Sequence, residues 1–130
     1  MLQHIKKLLV HNAMLIAILV TVAIAILSLT SVPKLNLGFN FKSSDKFLHI
    51  LAYFVLSSVW YFSLKEKIKK PNFKYTLIAC IIIYGIILEV LQGGMTNYRT
   101  GDFYDVIANT IGIILASLLF NKLINWFDTI

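Results

Sequence analysis

Four long apolar stretches, separated by shorter polar segments, follow one another along this 130-residue chain. A helix that crosses the hydrocarbon core of a bilayer needs about 20 mostly apolar residues, with a range of about 17–25. The pattern therefore predicts an all-α fold, a four-transmembrane-helix bundle that forms one domain. The predicted spans cover about Val10–Leu29, Phe47–Leu64, Tyr75–Gln92 and Phe103–Phe120. A continuation of the last helix along the interface to Phe127 fits the same pattern.

The composition agrees with a membrane protein. Hydrophobic residues make up 58% of the chain and charged residues 14%, whereas a soluble domain is about 45–50% apolar. The mean hydropathy is +0.80. The net charge of +6 does not indicate nucleic acid, because the lysines cluster between apolar stretches instead of alternating with aromatic residues on one face. The expected partner is therefore the lipid bilayer, with no nucleic acid.

The first apolar stretch resembles the core of a signal peptide, because Lys6 and Lys7 precede it. However, the stretch is longer than a signal peptide requires, and no convincing Ala-x-Ala cleavage pattern occurs before Pro33. We therefore expect an uncleaved helix at this position.

The chain has a single cysteine, Cys80, which excludes an intramolecular disulfide. Cys80 lies within the apolar run of the third predicted span. Free cysteine is among the most buried residue types. We therefore expect Cys80 to be a small buried residue.

The distribution of lysine and arginine predicts the orientation of the helices. With four spans, the N-terminus, the middle loop and the C-terminus lie on one side of the membrane. This side carries Lys6, Lys7, Lys65, Lys67, Lys69, Lys70, Lys74 and Lys122, whereas the other side carries Lys34, Lys42, Lys46 and Arg99. Because basic residues concentrate in cytoplasmic loops, we expect both termini in the cytoplasm. The multi-pass chain would then lie in a bacterial inner membrane.

Polar residues recur at helical spacing near the predicted outer ends of spans two, three and four. Residues three or four apart share one face of a helix, so each span is predicted to present one polar stripe. The members are Asp45, Lys46, His49 and Tyr53 on span two, Glu89 and Gln92 on span three, and Asp102, Asp105, Asn109 and Gly112 on span four. A charge within the hydrocarbon costs about 2.5–3.5 kcal/mol even on lenient insertion scales. These stripes therefore predict a functional site.

Structural roles also explain several of these residues. Asp45, Asp102 and Asp105 fit capping positions at the starts of helices, and Asp45 is also placed to hydrogen-bond His49. Glu89 follows a long apolar run and needs a partner, a proton or a cation. Arg99, which precedes span four, is the expected ionic partner.

Four glycines have predicted roles in helix ends and helix packing. Gly93 and Gly94 predict the end of the third helix, since glycine suits the cap conformation. Gly112 is predicted to let a neighbouring helix approach closely, and Gly85 is placed to do the same on span three.

The polar residues together resemble those of the VanZ-like family, small bacterial integral membrane proteins named for a member linked to teicoplanin resistance. The resemblance covers about residues 44–119. It is carried by Asp45-Lys46-x-x-His49-x-x-x-Tyr53, Glu89-x-x-Gln92 and Arg99-x-x-Asp102-x-x-Asp105-x-x-x-Asn109-x-x-Gly112. The resemblance implies a cell-envelope setting, with a possible link to glycopeptide resistance. It implies no particular biochemical activity.

Three functions are compatible with these residues. The first is binding of an anionic lipid-linked envelope precursor, or of a glycopeptide, with Lys46 and Arg99 holding phosphate. The candidate ligand-binding residues are Lys46, His49, Tyr53, Glu89, Gln92, Arg99, Asp102, Asp105 and Asn109. The second is a metal-dependent enzyme whose divalent cation is held by some of His49, Glu89, Asp102 and Asp105. No established metal-binding spacing and no clear nucleophile accompany these residues. The third is a structural scaffold with an internal polar network.

Overall fold

The computed structural model describes residues 1–29, 41–95 and 103–129, without the side chains of residues 41–45 and 95. These ranges are helical and contain no strand, which confirms the predicted all-α class. The α-helices are α1 (Leu2–His11), α2 (Ala13–Leu29), α3 (Phe41–Ser63), α4 (Pro71–Met95) and α5 (Phe103–Thr129). A short 3-10 turn, Lys67–Lys69, joins α3 to α4.

Two helices are long and apolar enough to cross a membrane, at Pro71–Gly94 in α4 and at Phe103–Thr129 in α5. A third span results if the bent pair α1 and α2 is counted as one. Within the described residues α3 does not meet the same criterion. It carries Lys46 and His49, and polar residues lower the mean hydropathy of a helix. The membrane crossing of α3 therefore stays a prediction, and so does the bundle of four spans.

The N-terminal region differs from the single helix predicted over Val10–Leu29. The chain bends by 69° between α1 and α2. The bend lies at Asn12, whose side-chain amide donates to the Leu8 carbonyl at 2.9 Å. An asparagine side chain that bonds to the backbone competes with helix continuation, so Val10 belongs to α1 and the apolar helix begins at Ala13.

The α1 helix is amphipathic. His4, Lys7 and His11 recur at intervals of three and four and so share one face. A basic amphipathic helix of this kind is typical of segments that lie in the membrane interface.

The ends of α4 and α5 also differ from the prediction. The α4 helix continues through Gly93 and Gly94 to Met95 instead of ending at the glycine pair. Low-dielectric surroundings favour intact backbone hydrogen bonds, and this outweighs the cost of about 1 kcal/mol for a helical glycine. The α5 helix continues without a break past Phe120 to Thr129.

Cys80 is exposed at the surface of the chain, so the expectation that it is buried was wrong. The buried face of α4 carries Ile81, Leu88 and Glu89, whereas Ile83 and Ile87 are exposed. Cys80 therefore belongs to a face that α4 turns away from the rest of the chain. In a membrane helix such a face contacts lipid, and an apolar sequence does not distinguish the two environments.

The most extensive contact between helices joins α3 to α5. Tyr61 of α3 and Ile113 and Ala116 of α5 are completely buried between the helices. Tyr61 meets Phe120 edge to face, with ring centroids 5.8 Å apart. This packing fixes α3 against α5 and so aligns the polar stripes above it.

The basic turn between α3 and α4 is exposed. Lys69 donates a hydrogen bond of 2.8 Å to the Glu66 carboxylate, and this bond lowers the pKa of Glu66 below its usual value. Both side chains are more than 70% exposed. An exposed pair of this kind contributes little to stability.

Candidate functional site

A connected polar network joins α3 to α5 near the N-terminal ends of both helices. The Lys46 ammonium forms an ion pair with the Asp105 carboxylate. His49 lies between two α5 side chains, with Nδ1 2.8 Å from Asn109 Oδ1 and Nε2 3.5 Å from Asp105 Oδ2. The structure thus brings together four of the sequence-predicted site residues, from two helices, in one cluster.

Exposure differs sharply across the ion pair. The Asp105 side chain is 9% exposed, whereas the Lys46 side chain is 28% exposed. The ammonium therefore lies at the opening of the cluster and the carboxylate lies inside it. Asp105 is in the first turn of α5, and its side chain reaches across to α3, so helix capping alone does not account for it.

The arrangement around His49 accepts either charge state of the imidazole. A neutral ring that donates from Nε2 to Asp105 leaves Nδ1 to accept from the Asn109 amide. A protonated ring donates from both nitrogens, to the Asn109 oxygen and to the Asp105 carboxylate. The Asn109 amide can pair with the neutral ring and with the protonated ring, because a rotation of the amide exchanges its oxygen and nitrogen. His49 therefore contacts α5 through both ring nitrogens, whichever nitrogen carries the proton.

Tyr53 lies one helical turn below His49, at the place where α3, α4 and α5 meet. A Cβ atom on Gly85 would lie 3.1 Å from Tyr53 Cε1 and 3.2 Å from Asn109 Nδ2. Gly85 thus gives room to site side chains of the neighbouring helices α3 and α5. Tyr53 is only 3% exposed, so it forms the floor of the network.

The α4 helix contributes two buried polar residues, Glu89 and Gln92. The Gln92 amide donates to the Ser28 carbonyl at 2.8 Å. Ser28 is in the last turn of α2, where backbone carbonyls lack partners within the helix, so Gln92 joins α4 to α2. Glu89 is 6% exposed and lies near Tyr53, so its carboxyl group is buried beside the network of α3 and α5.

Three predicted positions lie outside the described residues. They are Arg99, Asp102 and the side chain of Asp45. The predicted pairs Glu89–Arg99 and Asp45–His49 therefore stay predictions. Among the described residues, no group of three or more His, Cys, Asp or Glu side chains is placed to hold a metal ion. At Asp105 the Lys46 ammonium already occupies the position in which a cation would bind the carboxylate.

A second polar cluster, in the middle of the bundle, was missed by the sequence reasoning. Trp60 Nε1 donates to Thr21 Oγ1 at 2.9 Å, and the Tyr84 hydroxyl donates to the Thr21 backbone carbonyl. Thr21 Oγ1 itself donates to the Ala17 carbonyl at 2.8 Å. The available signal was a tryptophan and a tyrosine within apolar spans, because their N–H and O–H groups need partners when buried.

Comparison with known proteins identifies the family of this sequence. The VanZ/LLP1 family matches residues 3–125. An uncharacterized protein of Schizosaccharomyces pombe (strain 972) is 31% identical over 104 residues, which cover 80% of this chain and 60% of that protein. This chain thus spans less than two thirds of that relative's length. No solved structure matches. The matched range includes all the site residues and nearly the whole chain, and the protein belongs to the VanZ/LLP1 family.

Proposed function

We propose that this protein binds an anionic lipid-linked component of the cell envelope at the polar cluster of α3, α4 and α5. The observation that carries the proposal is the position of Lys46, a partly exposed ammonium at the opening of a buried network. A phosphate group at this opening would exchange hydrogen bonds with an ammonium that Asp105 already holds in place. Charged hydrogen bonds of this kind are the strong ones in proteins.

The other site residues have distinct parts in the proposal. Arg99 would add a planar pair of donors to the phosphate. Glu89 and Asn109 would accept and donate hydrogen bonds to sugar hydroxyl or amide groups further along the ligand. A lipid-linked ligand suits the location, because its chain stays in the bilayer while its head group reaches the ends of the helices.

The proposed setting is the outer face of a bacterial cytoplasmic membrane, with both termini inside. Cysteine labelling in intact cells tests this orientation, in a Cys80→Ser background. A cysteine that replaces Asn97 should react with an impermeant thiol reagent, whereas one that replaces Lys69 should react only after lysis. The reverse labelling pattern would move the site to the cytoplasmic side and end the proposal of an outer-leaflet ligand. The link to teicoplanin resistance rests on the resemblance to VanZ and is part of the same proposal.

The ligand-binding proposal predicts that Glu89→Gln yields a folded protein that has lost its ligand. Native mass spectrometry of the wild type should show a co-purified polyprenyl or phospholipid adduct. The adduct should fall at least about tenfold in the variant, since a hydrogen bond to a charged group contributes about 1.5–3 kcal/mol. Glu66→Gln is the matched control, because it removes the same charge from an exposed position, and it should leave the adduct unchanged.

The same measurement separates the alternatives. An adduct that persists in folded Glu89→Gln protein would remove Glu89 from the ligand site. A stoichiometric metal ion that is lost in the variant would favour the metal-dependent enzyme. A variant that fails to fold would favour the internal scaffold instead.

An internal structural scaffold is the second candidate function, and a specific observation favours it. Lys46, His49, Asp105 and Asn109 are paired with one another across the two helices. Polar residues that pair in this way can hold membrane helices together. A folded variant without this pairing distinguishes the two functions, because only the binding site predicts that such a variant loses affinity for a ligand.

A further inference from the structure

A separate apolar groove lies at the other end of the bundle from Asp105. It has a volume of about 270 Å³ and lies among α1, α2, α3 and α5. Ile16, Val59, Phe62, Trp126 and Phe127 are among the residues that line it. This volume is slightly below the range of about 300–1,000 Å³ for small-molecule pockets. The groove therefore suits part of one hydrocarbon chain better than a complete head group.

Two lysines lie beside the aromatic wall of the groove. Phe62 and Phe127 meet edge to face, with ring centroids 4.8 Å apart. The Lys65 ammonium is 5.3 Å from the Phe62 ring centre, and the Lys6 ammonium is 5.3 Å from the Phe127 ring centre. Positive charge thus flanks both rings at the same end of the groove.

The position of Lys6 is fixed by a second contact. Its ammonium donates to the Asp128 backbone carbonyl at 3.3 Å, which brings α1 to the end of α5. An ammonium has three donors, so it can hold this carbonyl and an anion together. The bend between α1 and α2 is what carries Lys6 to the groove.

The groove also holds a buried hydroxyl group. Ser58 lines the groove, and its Oγ is buried without a hydrogen-bond partner in the described part of the chain. Ser58 precedes Phe62 by four residues, about 6 Å along the helix axis. Ser58 lies in the groove wall, so a rotation of its side chain would bring this donor to an ester carbonyl beneath a charged head group.

We infer that this groove is a binding site for an anionic phospholipid, distinct from the polar cluster. One acyl chain lies against Ile16, Val59 and Phe62. The phosphate lies between Lys6 and Lys65, and Ser58 donates to the ester carbonyl. A neutral lipid would fill the apolar part equally well, so the two lysines supply the preference for an anionic head group. Clusters of basic residues beside membrane helices attract anionic lipid by the same electrostatics.

The test compares phosphatidylglycerol with phosphatidylcholine of the same chain length, bound to the purified protein in neutral detergent and counted by native mass spectrometry. The wild type should bind phosphatidylglycerol more tightly. In Lys6→Gln/Lys65→Gln this preference should fall by roughly fivefold for each lysine. Lys67→Gln/Lys70→Gln removes the same charge from exposed positions in the same region and should retain the preference. The polar cluster is intact in both variants, so the difference between them reports on the groove alone.

Groove filling provides a second readout that does not depend on charge. Ser58→Leu should weaken the binding of both lipids, because the larger side chain occupies the groove. If Lys6→Gln impairs folding through the lost Asp128 contact, Lys65→Gln alone is compared with Lys67→Gln. Equal losses of the preference in the two double variants, or unchanged lipid binding in folded Ser58→Leu, would each overturn the inference.

Discussion

Gly112→Ala is expected to push α3 away from α5 and to destabilise the bundle strongly. A Cβ atom at this position would overlap the Ile50 carbonyl oxygen, 3.1 Å from the Ile50 carbonyl carbon and 3.0 Å from the Phe54 nitrogen. These are backbone atoms of a helix, so they cannot rotate away as a side chain can. Overpacking a well-packed core costs typically about 1–3 kcal/mol and occasionally more, and we expect the upper end or beyond. Reversible unfolding in mixed micelles measures the change in the free energy of unfolding.

Gly94→Ala is the matched control. It makes the same substitution in a helix, but a Cβ atom at Gly94 would meet nothing within 4 Å. Replacing a helical glycine with alanine reduces the conformational freedom of the unfolded chain, which stabilises the protein by about 0.4–1 kcal/mol. The two substitutions should therefore change the free energy of unfolding in opposite directions. Equal and small effects would show that α3 and α5 do not approach each other as closely as the structure places them.

Gly112 also shows how much of the helix packing could be predicted from the sequence. Its spacing from Asp105 and Asn109 predicted one shared face of α5, and its size predicted close approach of a neighbouring helix. Both features depend only on helical periodicity and side-chain volume. The identity of the approaching helix depends on how the helices of the bundle cross. Helical spacing along the sequence does not predict these crossing angles.

The pairing of polar residues was less predictable than their faces. The helical spacing placed Lys46 and His49 on one side of α3, but it did not predict the α5 partners of either residue. In the structure Lys46 pairs with Asp105, and the ring nitrogens of His49 face Asn109 and Asp105. Local spacing favours partners within one helix, whereas these partners lie on another helix, about sixty residues along the chain.

The second large effect is expected at the Lys46–Asp105 pair. Lys46→Met leaves a largely buried carboxylate without its ammonium. Breaking a buried pair in this way costs about 3–5 kcal/mol, and we expect about 2–3 kcal/mol because His49 remains 3.5 Å from Asp105. Asp105→Asn should cost less, because the Lys46 side chain is 28% exposed and can turn its ammonium towards water. The free energies of unfolding of both variants measure this asymmetry.

The double variant Lys46→Met/Asp105→Asn completes a thermodynamic cycle. It should be more stable than the sum of the single changes predicts, with a coupling energy of about 1–3 kcal/mol. The exposed Lys69–Glu66 pair, whose side chains are 72% and 73% exposed, is the matched control and should show much smaller coupling. If the two pairs gave the same small coupling, the network would not stabilise the contact between α3 and α5.

The double variant also distinguishes binding from scaffolding, because it removes the ammonium without leaving an unpaired buried charge. If Lys46 holds a phosphate, this protein should be folded but should bind a long-chain polyprenyl phosphate at least about tenfold more weakly, the effect of losing one charged hydrogen bond. If the network is only a scaffold, polyprenyl phosphate binding should be absent from the wild type as well. Wild-type affinity in the folded double variant would show that the phosphate lies elsewhere on the protein, and Lys46 would then serve only the pairing of α3 with α5.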